Sequence, residues 1–350
     1  MNFLVTTDIQ DLPHGPIVMV DGTVPHWEPI PGIDFHWDHH RPGGAPIQMD
    51  EIPLEEIESG KIKIPINATI VTTMVDADAC VAAAAVRLAA FYHLSGSKKL
   101  RAMRKFRAIA WDCDHLALPP DPEWDDLREF AAKAVAALKQ SGKAIAQELR
   151  LPSDRKDWSA ADKTRYASTC FERGTDALVL AALEYGPWPG ENGEADAYFE
   201  EMESQWPDVK KSCYMAGKIA VFDSRGFEGK YVDPRLPVRW VSQYSTKPLA
   251  LLTVRDGSRQ PNQPKGAIGA TYSYTLGKAP GTDPQFSSRG VWEKLSEAEN
   301  SRRASLEIPP LETEWGGREA VGGSSWHDAM ITPPWDLAND IVRAMDPWIG

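Results

Sequence analysis

The sequence predicts an α/β protein with a parallel sheet at its N-terminus, a helical middle segment and a smaller, mixed α+β C-terminal domain. Three observations carry this prediction. Short β-branched runs followed by acidic residues recur up to residue 120, apolar residues at helical spacing dominate 121–215, and strand-like runs return from residue 216. A chain of 350 residues is long enough for more than one domain. We therefore expect domains at 1–120, 121–215 and 216–350.

The composition is that of a soluble globular protein, with 42% hydrophobic and 25% charged residues. No apolar run approaches the ~18 residues that cross a bilayer, and residues 1–10 lack the pattern of a signal peptide, so we expect a cytoplasmic protein without a membrane partner. The formal net charge of −12 argues against sequence-independent binding of long nucleic acid. The four cysteines include no Cys-x-x-Cys pair, so we expect reduced thiols and no structural zinc site.

Four runs near the N-terminus are predicted strands: 16–20, 33–37, 67–75 and 108–111. Residues 41–64, between the second and third runs, are rich in proline, glycine and acids, and we expect them to lie on the surface. The residues that follow the four runs include Asp21; Asp38, His39 and His40; Asp76 and Asp78; and Asp112, Asp114 and His115. Because the carboxyl ends of parallel strands share one edge of a sheet, we expect these side chains to lie close together.

Each of these strand ends has an ordinary explanation as well as a functional one. Asp76 and Asp78 precede a run of small residues that predicts a helix, where a carboxylate caps the N-terminus or interacts favourably with the dipole. The His pair, and Asp114 with His115, can also belong to polar loops. Four acidic strand ends in succession are harder to explain by solvation alone, so the pattern favours a metal site. Imidazole and carboxylate without thiolate favour Mn²⁺ over zinc, with Mg²⁺ or Fe as alternatives.

After residue 122 the pattern of apolar residues becomes helical. It predicts three helices to which we assign no chemistry, around 127–138, 177–183 and 198–202. Strand-like runs then return, at 218–222, 238–241, 249–254 and 270–275. Turn residues separate these runs, which indicates a mixed α+β domain.

A glycine-rich segment, 315–327, precedes a final predicted helix at 335–345. Its two Gly pairs allow close approach of a backbone, and its arginine, hydroxyls and backbone N–H groups can bind an anion. The candidate substrate-binding residues of this segment are Gly317, Arg318, Gly322, Gly323, Ser324 and His327. A plain glycine-rich connection explains the same residues equally well.

The acids Asp21 and Asp112, with Asp38-His39-His40 between them, resemble the motifs of the DHH phosphoesterase superfamily in their order along the chain. The residues Gly316-Gly317-Arg318 and Gly322-Gly323 are similar to the Gly-Gly-His-containing substrate loop of the DHH-associated domain. The resemblance covers the predicted N-terminal domain and the C-terminal segment, and it leaves the helical middle unmatched.

The chain departs from the superfamily in two places. The Asp-x-Asp pair, which usually ends the first strand, follows the Asp-His-His motif here as Asp76 and Asp78. This pair either has moved to a neighbouring strand, which would complete the site in space, or marks a partial resemblance. Arg318 stands in the place of the loop histidine, which keeps an anion-binding group at that position.

The resemblance implies a two-metal phosphoesterase with a DHH-like metal-binding domain at 1–120 and a substrate-binding domain at 216–350. Two Mn²⁺ ions would stabilise the attacking and leaving oxygens of the phosphoryl group. The metal ligands would be Asp21, His39, Asp76, Asp78, Asp112 and Asp114. The catalytic residues would be Asp38, His39 and His40, with Asp38 orienting a neighbouring imidazole.

The substrate implied by this reading is a small anionic phosphoester or a short oligonucleotide. His40 and Arg41 would contact its phosphate oxygens, and Arg318 would clamp them from the C-terminal domain. Two other functions stay open: a non-catalytic protein that binds a nucleotide or a partner, which the displaced Asp-x-Asp pair favours, and a metal-dependent hydrolase of a non-phosphate substrate. The sequence does not determine the oligomeric state.

Overall fold

The computed structural model describes residues 1–40, 44–92, 94–119, 121–227, 230, 232–243, 247–264 and 269–345. Contacts divide the chain into two compact units, Met1–Phe199 and Glu200–Gly350. The three-domain division at residues 120 and 215 stays a prediction. Of the helices in the described ranges, none is both long enough and apolar enough to span a membrane.

The first unit contains a four-stranded parallel sheet, which confirms the predicted α/β class. Its strands are β1 (Asn2–Val5), β2 (Ile17–Val20), β3 (Phe35–Trp37) and β4 (Thr69–Thr72). Its helices are α1 (Leu54–Glu58), α2 (Ala77–Phe91), α3 (Gly96–His115), α4 (Arg128–Glu148) and α5 (Ala160–Ala182). The spatial order of the strands is β1-β4-β2-β3. The predictions for β2, β3 and β4 are confirmed, and β1 is a strand that we did not predict.

Both faces of this sheet are covered, because every residue of its central strands, β2 and β4, is buried. Val18 and Val20 face the larger core, in which they pack with side chains of α2, α3 and α5. Met19 points to the opposite face and packs in a smaller cluster with Val71 and Trp27. The predicted helices around 127–138 and 177–183 are confirmed as α4 and α5, and α5 packs against β1 and α2.

The predicted strand at 108–111 is wrong, because these residues lie in helix α3. Ala102, Phe106 and Ile109 are all buried, and their spacing places them on one face of a helix. A run of four apolar residues is too short to distinguish a buried strand from a buried helix. The basic residues before the run belong to the same helix, and their long side chains have high helix propensity.

The segment after β3 is not the surface excursion that we expected for 41–64. Within its described part, Ile47, Met49, Ile52 and Ile57 are buried in the larger core. Gly60 does lie in a turn, but the apolar residues before it anchor the segment against α2. This packing brings backbone and side-chain groups of the segment to the carboxyl edge of the sheet.

The second unit contains a six-stranded mixed sheet. Its strands are β5 (Cys213–Ala216), β6 (Ile219–Asp223), β7 (Ala250–Asp256), β8 (Tyr272–Lys278), β9 (Gly316–Gly317) and β10 (Val321–Gly323). Helix α6 (Asp196–Ser212) enters this unit from the first, and it is followed by α7 (Arg235–Ser242), α8 (Val291–Ser305) and α9 (Pro334–Met345). The strand order is β5-β6-β7-β8-β10-β9; β6 and β7 pair in parallel, and the other pairs are antiparallel.

Most predicted elements of this unit are confirmed, including β6, β7, β8, α6 and the final helix α9. The predicted strand at 238–241 is wrong, because these residues lie in α7. Leu236 and Trp240 are one helical turn apart and both are buried. The apolar run therefore forms the buried face of a helix. Trp292 and Ile341, from α8 and α9, complete the core.

Candidate metal centre

The candidate site lies at the carboxyl edge of the first sheet. Strands β4, β2 and β3 are neighbours in parallel pairing, so their carboxyl ends meet at this edge. Asp21 follows β2, Asp38-His39-His40 follow β3, and Asp76 and Asp78 follow β4. The Asp-x-Asp pair therefore adjoins Asp21 in space, although it lies on a strand later in the chain.

Asp21 adopts a backbone conformation that few non-glycine residues adopt. Its φ is +52°, and the next residue, Gly22, has a φ of +129°. A Cβ on Gly22 would lie 2.1 Å from the Thr73 Oγ1. The Thr72 hydroxyl, 3.0 Å from the Asp21 carbonyl oxygen, can donate to it and hold the turn. Strain of this kind is concentrated at functional sites, and here it fixes the direction of a buried carboxylate.

His39 presents one imidazole nitrogen to three carboxylates. Its Nδ1 lies 3.1 Å from the carbonyl oxygen of Ala45, which can only accept, so the proton of the neutral ring is on Nδ1. Its Nε2 is buried and forms no hydrogen bond with any described residue. Carboxylate oxygens lie 3.2 Å from Nε2 on Asp21, 3.5 Å on Asp114 and 3.7 Å on Asp78. A nitrogen lone pair facing three carboxylate groups is an arrangement that a divalent cation stabilises.

His40 is oriented by the first residue of its own motif. Its Nδ1 lies 3.2 Å from Asp38 Oδ1, and its Nε2 lies 3.3 Å from Asp21 Oδ1. Asp38 also accepts the backbone N–H of His40 at 2.9 Å and the Thr23 hydroxyl at 2.7 Å. Burial opposes the charge of Asp38, but these hydrogen bonds outweigh it and hold the pKa of Asp38 below its usual range. An ionised carboxylate behind one ring nitrogen leaves the other nitrogen available to bind a metal.

Asp76 and Asp78 lie at the N-terminus of α2. Asp76 caps this helix with one carboxylate oxygen, 2.9 Å from a first-turn backbone nitrogen, so the capping explanation holds for that oxygen. Asp78 is fully buried; its Oδ2 accepts the backbone N–H of Gln48 at 2.9 Å, while its Oδ1 has no hydrogen-bond partner in the described part of the chain. Burial first, and then repulsion from neighbouring carboxylates, raise the pKa of both aspartates well above the usual range.

Asp114 reaches the site from the last turn of α3 and not from a strand end. A carboxylate is disfavoured at a helix C-terminus by the dipole, so this position needs a positive partner. Burial and the charge of Asp21 raise the pKa of Asp114, although His39 acts in the opposite direction. Asp112 is buried two residues earlier, which is roughly 200° round the helix. The Nε2 of His115 lies 3.0 Å from the carbonyl oxygen of Pro46.

Among the described residues, three sets of side chains bring their ligand atoms within 4.8 Å of one another and can each hold a metal ion. The sets are Asp21, His39 and His40; His39, Asp78 and Asp114; and Asp76, Cys113 and Asp114. Asp112 is in none of these sets. Because the sets share His39 and Asp114, neighbouring ions would share ligands. The donor atoms, together with the unpaired His39 Nε2 and Asp78 Oδ1, fit divalent cations.

Sequence reasoning did not identify two residues of the site, Gln48 and Cys113. The fully buried Gln48 accepts the backbone N–H of His39 at 3.1 Å and donates to the carbonyl oxygen of Trp37 at 2.7 Å. The backbone N–H of Gln48 donates to Asp78 in helix α2. Gln48 therefore connects the residues after β3 with this helix through hydrogen bonds. In the sequence, the one indication for Gln48 was a single amide side chain between two large apolar residues. For Cys113, the signal was a thiol between two predicted acidic ligands.

In the second unit, the predicted substrate-binding glycines form a hairpin. Gly317 in β9 pairs with Gly322 in β10, and Gly323 extends the same strand. A Cβ on Gly322 would lie 2.6 Å from Trp292 atoms, so close packing accounts for the absence of a side chain there. Arg318 is exposed at the turn of this hairpin, where a cationic side chain can meet an anion.

The remaining predicted substrate residues lie in different surroundings. Ser324 is buried, and its hydroxyl accepts the backbone N–H of Tyr274 at 2.9 Å. His327 is exposed. Arg41 lies outside the described residues. The binding of an anion by these residues stays a prediction.

Comparisons with known proteins give a distant likeness to solved structures. No family model matches the chain, and no curated protein matches it. Among solved structures, the pGpG-specific phosphodiesterase PggH from Vibrio cholerae is similar, with a TM-score of 0.40 and 10% sequence identity over 94% of this chain and 98% of that one. At this level of similarity we base the function on the site itself.

Proposed function

We propose that this chain is a metal-dependent phosphoesterase that hydrolyses a small or short phosphoester of the nucleotide or oligonucleotide type, with two divalent cations at the edge of the first sheet. The observation that carries the proposal is the buried Nε2 of His39, which faces three carboxylates and forms no hydrogen bond with the described residues. Buried polar atoms are rarely left unpaired unless an ion, a water or a substrate completes them.

The charge of the cluster connects the cations with a phosphate substrate. Five carboxylates converge on this edge: Asp21, Asp38, Asp76, Asp78 and Asp114. Alone, they would repel an anionic substrate. Bound divalent cations would reverse the local charge, lower the pKa of an attacking water and act as Lewis acids on the phosphoryl oxygens.

Different sets of side chains would hold the two cations. Asp21, His39 and His40 would hold one ion, and their nitrogen and oxygen donors suit the Mn²⁺ that we predict. The second ion would be held by carboxylates that include Asp114, which belongs to both remaining sets. Asp38 lies against Nδ1 of His40 and keeps the ring in place, so that Nε2 faces Asp21.

Exposure distinguishes the two imidazoles. The side chain of His39 is 5% exposed and that of His40 is 18% exposed, so His40 lies on the open side of the cluster. A phosphate oxygen approaching from solvent would therefore meet His40 first, in the role that we predict for it. The net charge of −12 favours a small or short substrate over long nucleic acid.

The test is metal content per chain together with hydrolysis of bis(p-nitrophenyl) phosphate and of 5′-phosphorylated dinucleotides under Mn²⁺. We expect two ions and turnover for the parent, and loss of both turnover and at least one ion for Asp21→Asn. Asp126→Asn is the control, because Asp126 is an exposed aspartate of the same unit and pairs with Arg104.

Three outcomes would contradict the proposal in different ways. A parent that binds no ion would reject the metal centre. Two ions with turnover of carboxylic esters or amides only would indicate a non-phosphate hydrolase. Two ions without turnover of any of these compounds would indicate a binding protein.

A further inference from the structure

Cys113 is the unexpected member of the cluster. The third set of ligand atoms consists of Asp76, Cys113 and Asp114, and it is the one set among the described residues that contains sulfur. Helix α3 places Cys113 beside Asp114, and the N-terminus of α2 supplies Asp76. The sequence led us to expect a metal centre without a thiol, because the cysteines are far apart along the chain.

Cys113 packs against the larger core and is also close to carboxylates. The charged groups that act on it are the carboxylates of Asp76, Asp114 and Asp78, and its sulfur also meets the backbone N–H of Asp78. A small apolar side chain would pack better among hydrocarbon groups than among three acids.

Two of the other three thiols, those of Cys80 and Cys170, lie against core or aromatic groups. Cys80 is buried in the larger core, where its sulfur lies 3.9 Å from the carbonyl oxygen of Phe171. Cys170 lies beside the phenol of Tyr166 on the same helix, α5. Neither thiol is in any of the three ligand sets. The carboxylate of Asp76 also acts on Cys80, so what distinguishes Cys113 is its place in a ligand set beside Asp114.

A second and independent observation points to an ion at this position. Asp78 Oδ1 is fully buried and has no hydrogen-bond partner in the described ranges, and the Asp78 side chain contacts Asp114. Asp114 is also 3.5 Å from the unpaired Nε2 of His39. The Cys113 set contains Asp114, and Asp114 is close both to Asp78 and to His39. Each of these two residues has a buried atom without a hydrogen-bond partner in the described ranges.

We propose that Cys113 is a metal ligand, and that with Asp76 and Asp114 it forms a subsite for a borderline-soft divalent cation of the Fe²⁺, Co²⁺ or Zn²⁺ type. This proposal rests on the metal centre of the proposed function and refines it. As the bond from Sγ to the cation forms, the thiol proton passes to solvent. The two subsites are then chemically unequal: Asp21, His39 and His40 offer nitrogen and oxygen and suit Mn²⁺, whereas the Cys113 subsite offers sulfur and disfavours Mg²⁺ and Mn²⁺.

The test uses Co²⁺ as a spectroscopic probe of the whole chain. Metal-free protein is titrated with Co²⁺, and the near-ultraviolet absorption that reports a bond between a thiolate and Co²⁺ is recorded together with the number of ions bound. We expect this absorption in the parent and in Cys170→Ser, a control that removes a thiol of similar intermediate exposure outside the cluster. It should disappear in Cys113→Ser, with a loss in Co²⁺ affinity of about 10- to 100-fold at one subsite.

A second variant keeps the test decisive if Cys113→Ser does not fold. In a chain with Cys80, Cys170 and Cys213 all replaced by serine, the absorption has to persist, since Cys113 is the remaining thiol of the four. Cys113→Ser should also retain binding of Mn²⁺ at the subsite of Asp21, His39 and His40.

The outcomes separate this inference from the proposed function. Two bound Co²⁺ ions and phosphodiester hydrolysis without the thiolate absorption would overturn the role of Cys113 and leave the phosphoesterase intact. Persistence of the absorption in Cys113→Ser would likewise assign it to another thiol. A parent that binds no Co²⁺ would overturn both proposals.

Discussion

Each unit of the molecule buries aspartates, and one from each unit shows two opposite environments for a buried carboxylate. In the second unit, Asp328 is 3% exposed, and its Oδ2 accepts two backbone N–H groups at 3.0 Å and the Ser325 hydroxyl at 2.9 Å. Its Oδ1 lies 3.3 Å from the Asn262 side-chain nitrogen. Burial opposes the charge of Asp328, but these donors outweigh it and lower its pKa. This carboxylate holds a turn together.

In the first unit, Asp78 is more deeply buried and has far fewer donors. It accepts one backbone N–H, from Gln48, and its Oδ1 has no partner among the described residues. Its charged neighbours are other carboxylates, which add to the effect of burial and raise its pKa. Burial therefore does not separate a structural acid from a functional one. The hydrogen-bond partners distinguish these two residues: both oxygens of Asp328 have donors, whereas Asp78 Oδ1 has none among the described residues, and there we propose a cation.

The largest expected effect that tests this comparison is on catalysis. Asp78→Asn keeps the shape of the side chain and the acceptor for Gln48, but it removes the charge that a cation requires. We expect kcat/KM for a phosphodiester to fall more than about 100-fold at a fixed Mn²⁺ concentration. A value close to that of the parent would mean that the open oxygen of Asp78 has no part in the metal centre.

The matching substitution in the second unit should act on stability. In Asp328→Asn an amide nitrogen would face N–H donors that need an acceptor, so we expect the free energy of unfolding in urea to fall by roughly 1.5–3 kcal/mol. The number of bound metal ions should stay that of the parent. Unchanged stability would remove the structural role that we assign to Asp328.

A smaller effect is expected on the pH dependence of stability in a chelator. The folded-state pKa values of Asp76, Asp78 and Asp114 are raised, so these groups bind protons more tightly in the folded chain than in the unfolded one. Their stabilising effect is complete below about pH 4, the ordinary range of an aspartate, and is lost as the pH rises through the raised values. Unfolding midpoints measured in chelator should therefore decrease from acid towards neutral pH.

Two additions sharpen that measurement. Asp78→Asn should flatten the pH dependence and raise the stability of the metal-free chain by roughly 1 kcal/mol at neutral pH, because it removes one of the mutually repelling charges. Saturating Mn²⁺ should abolish the decrease in the parent. Stability that increases towards neutral pH in chelator would show that these carboxylates are not held close together.

The smallest effect is expected for Asp112, another buried aspartate of the first unit. Although we predicted it as a metal ligand, it is in none of the ligand sets of the described residues, and Asp114 reaches the site instead. We expect Asp112→Asn to bind as many ions as the parent and to keep kcat/KM within about threefold. Loss of an ion in this variant would mean that Asp112 is a metal ligand. The side chains at the end of α3 would then have to be arranged differently around the ion.

Several residues of the site followed from the sequence, because strand ends are a local signal. Apolar runs that end in Asp21, in Asp38-His39-His40 and before Asp76 predict strands by their own composition, and the structure places these residues at one edge of a parallel sheet. Asp114 was selected for the wrong reason, as a strand-end residue, and it enters the site from a helix. A short apolar run has the same composition in either element, so the sequence could not distinguish them.

The sequence by itself determined the α/β class, the strands that carry the motif residues and the concentration of imidazole and carboxylate in the N-terminal part. The tertiary structure alone decided which of these groups meet. Gln48 reaches Asp78 from 30 residues away, and Cys113 joins Asp76 only because α3 packs against α2. Such meetings depend on the packing of whole elements, whereas the patterns that predict an element extend over only a few neighbouring residues.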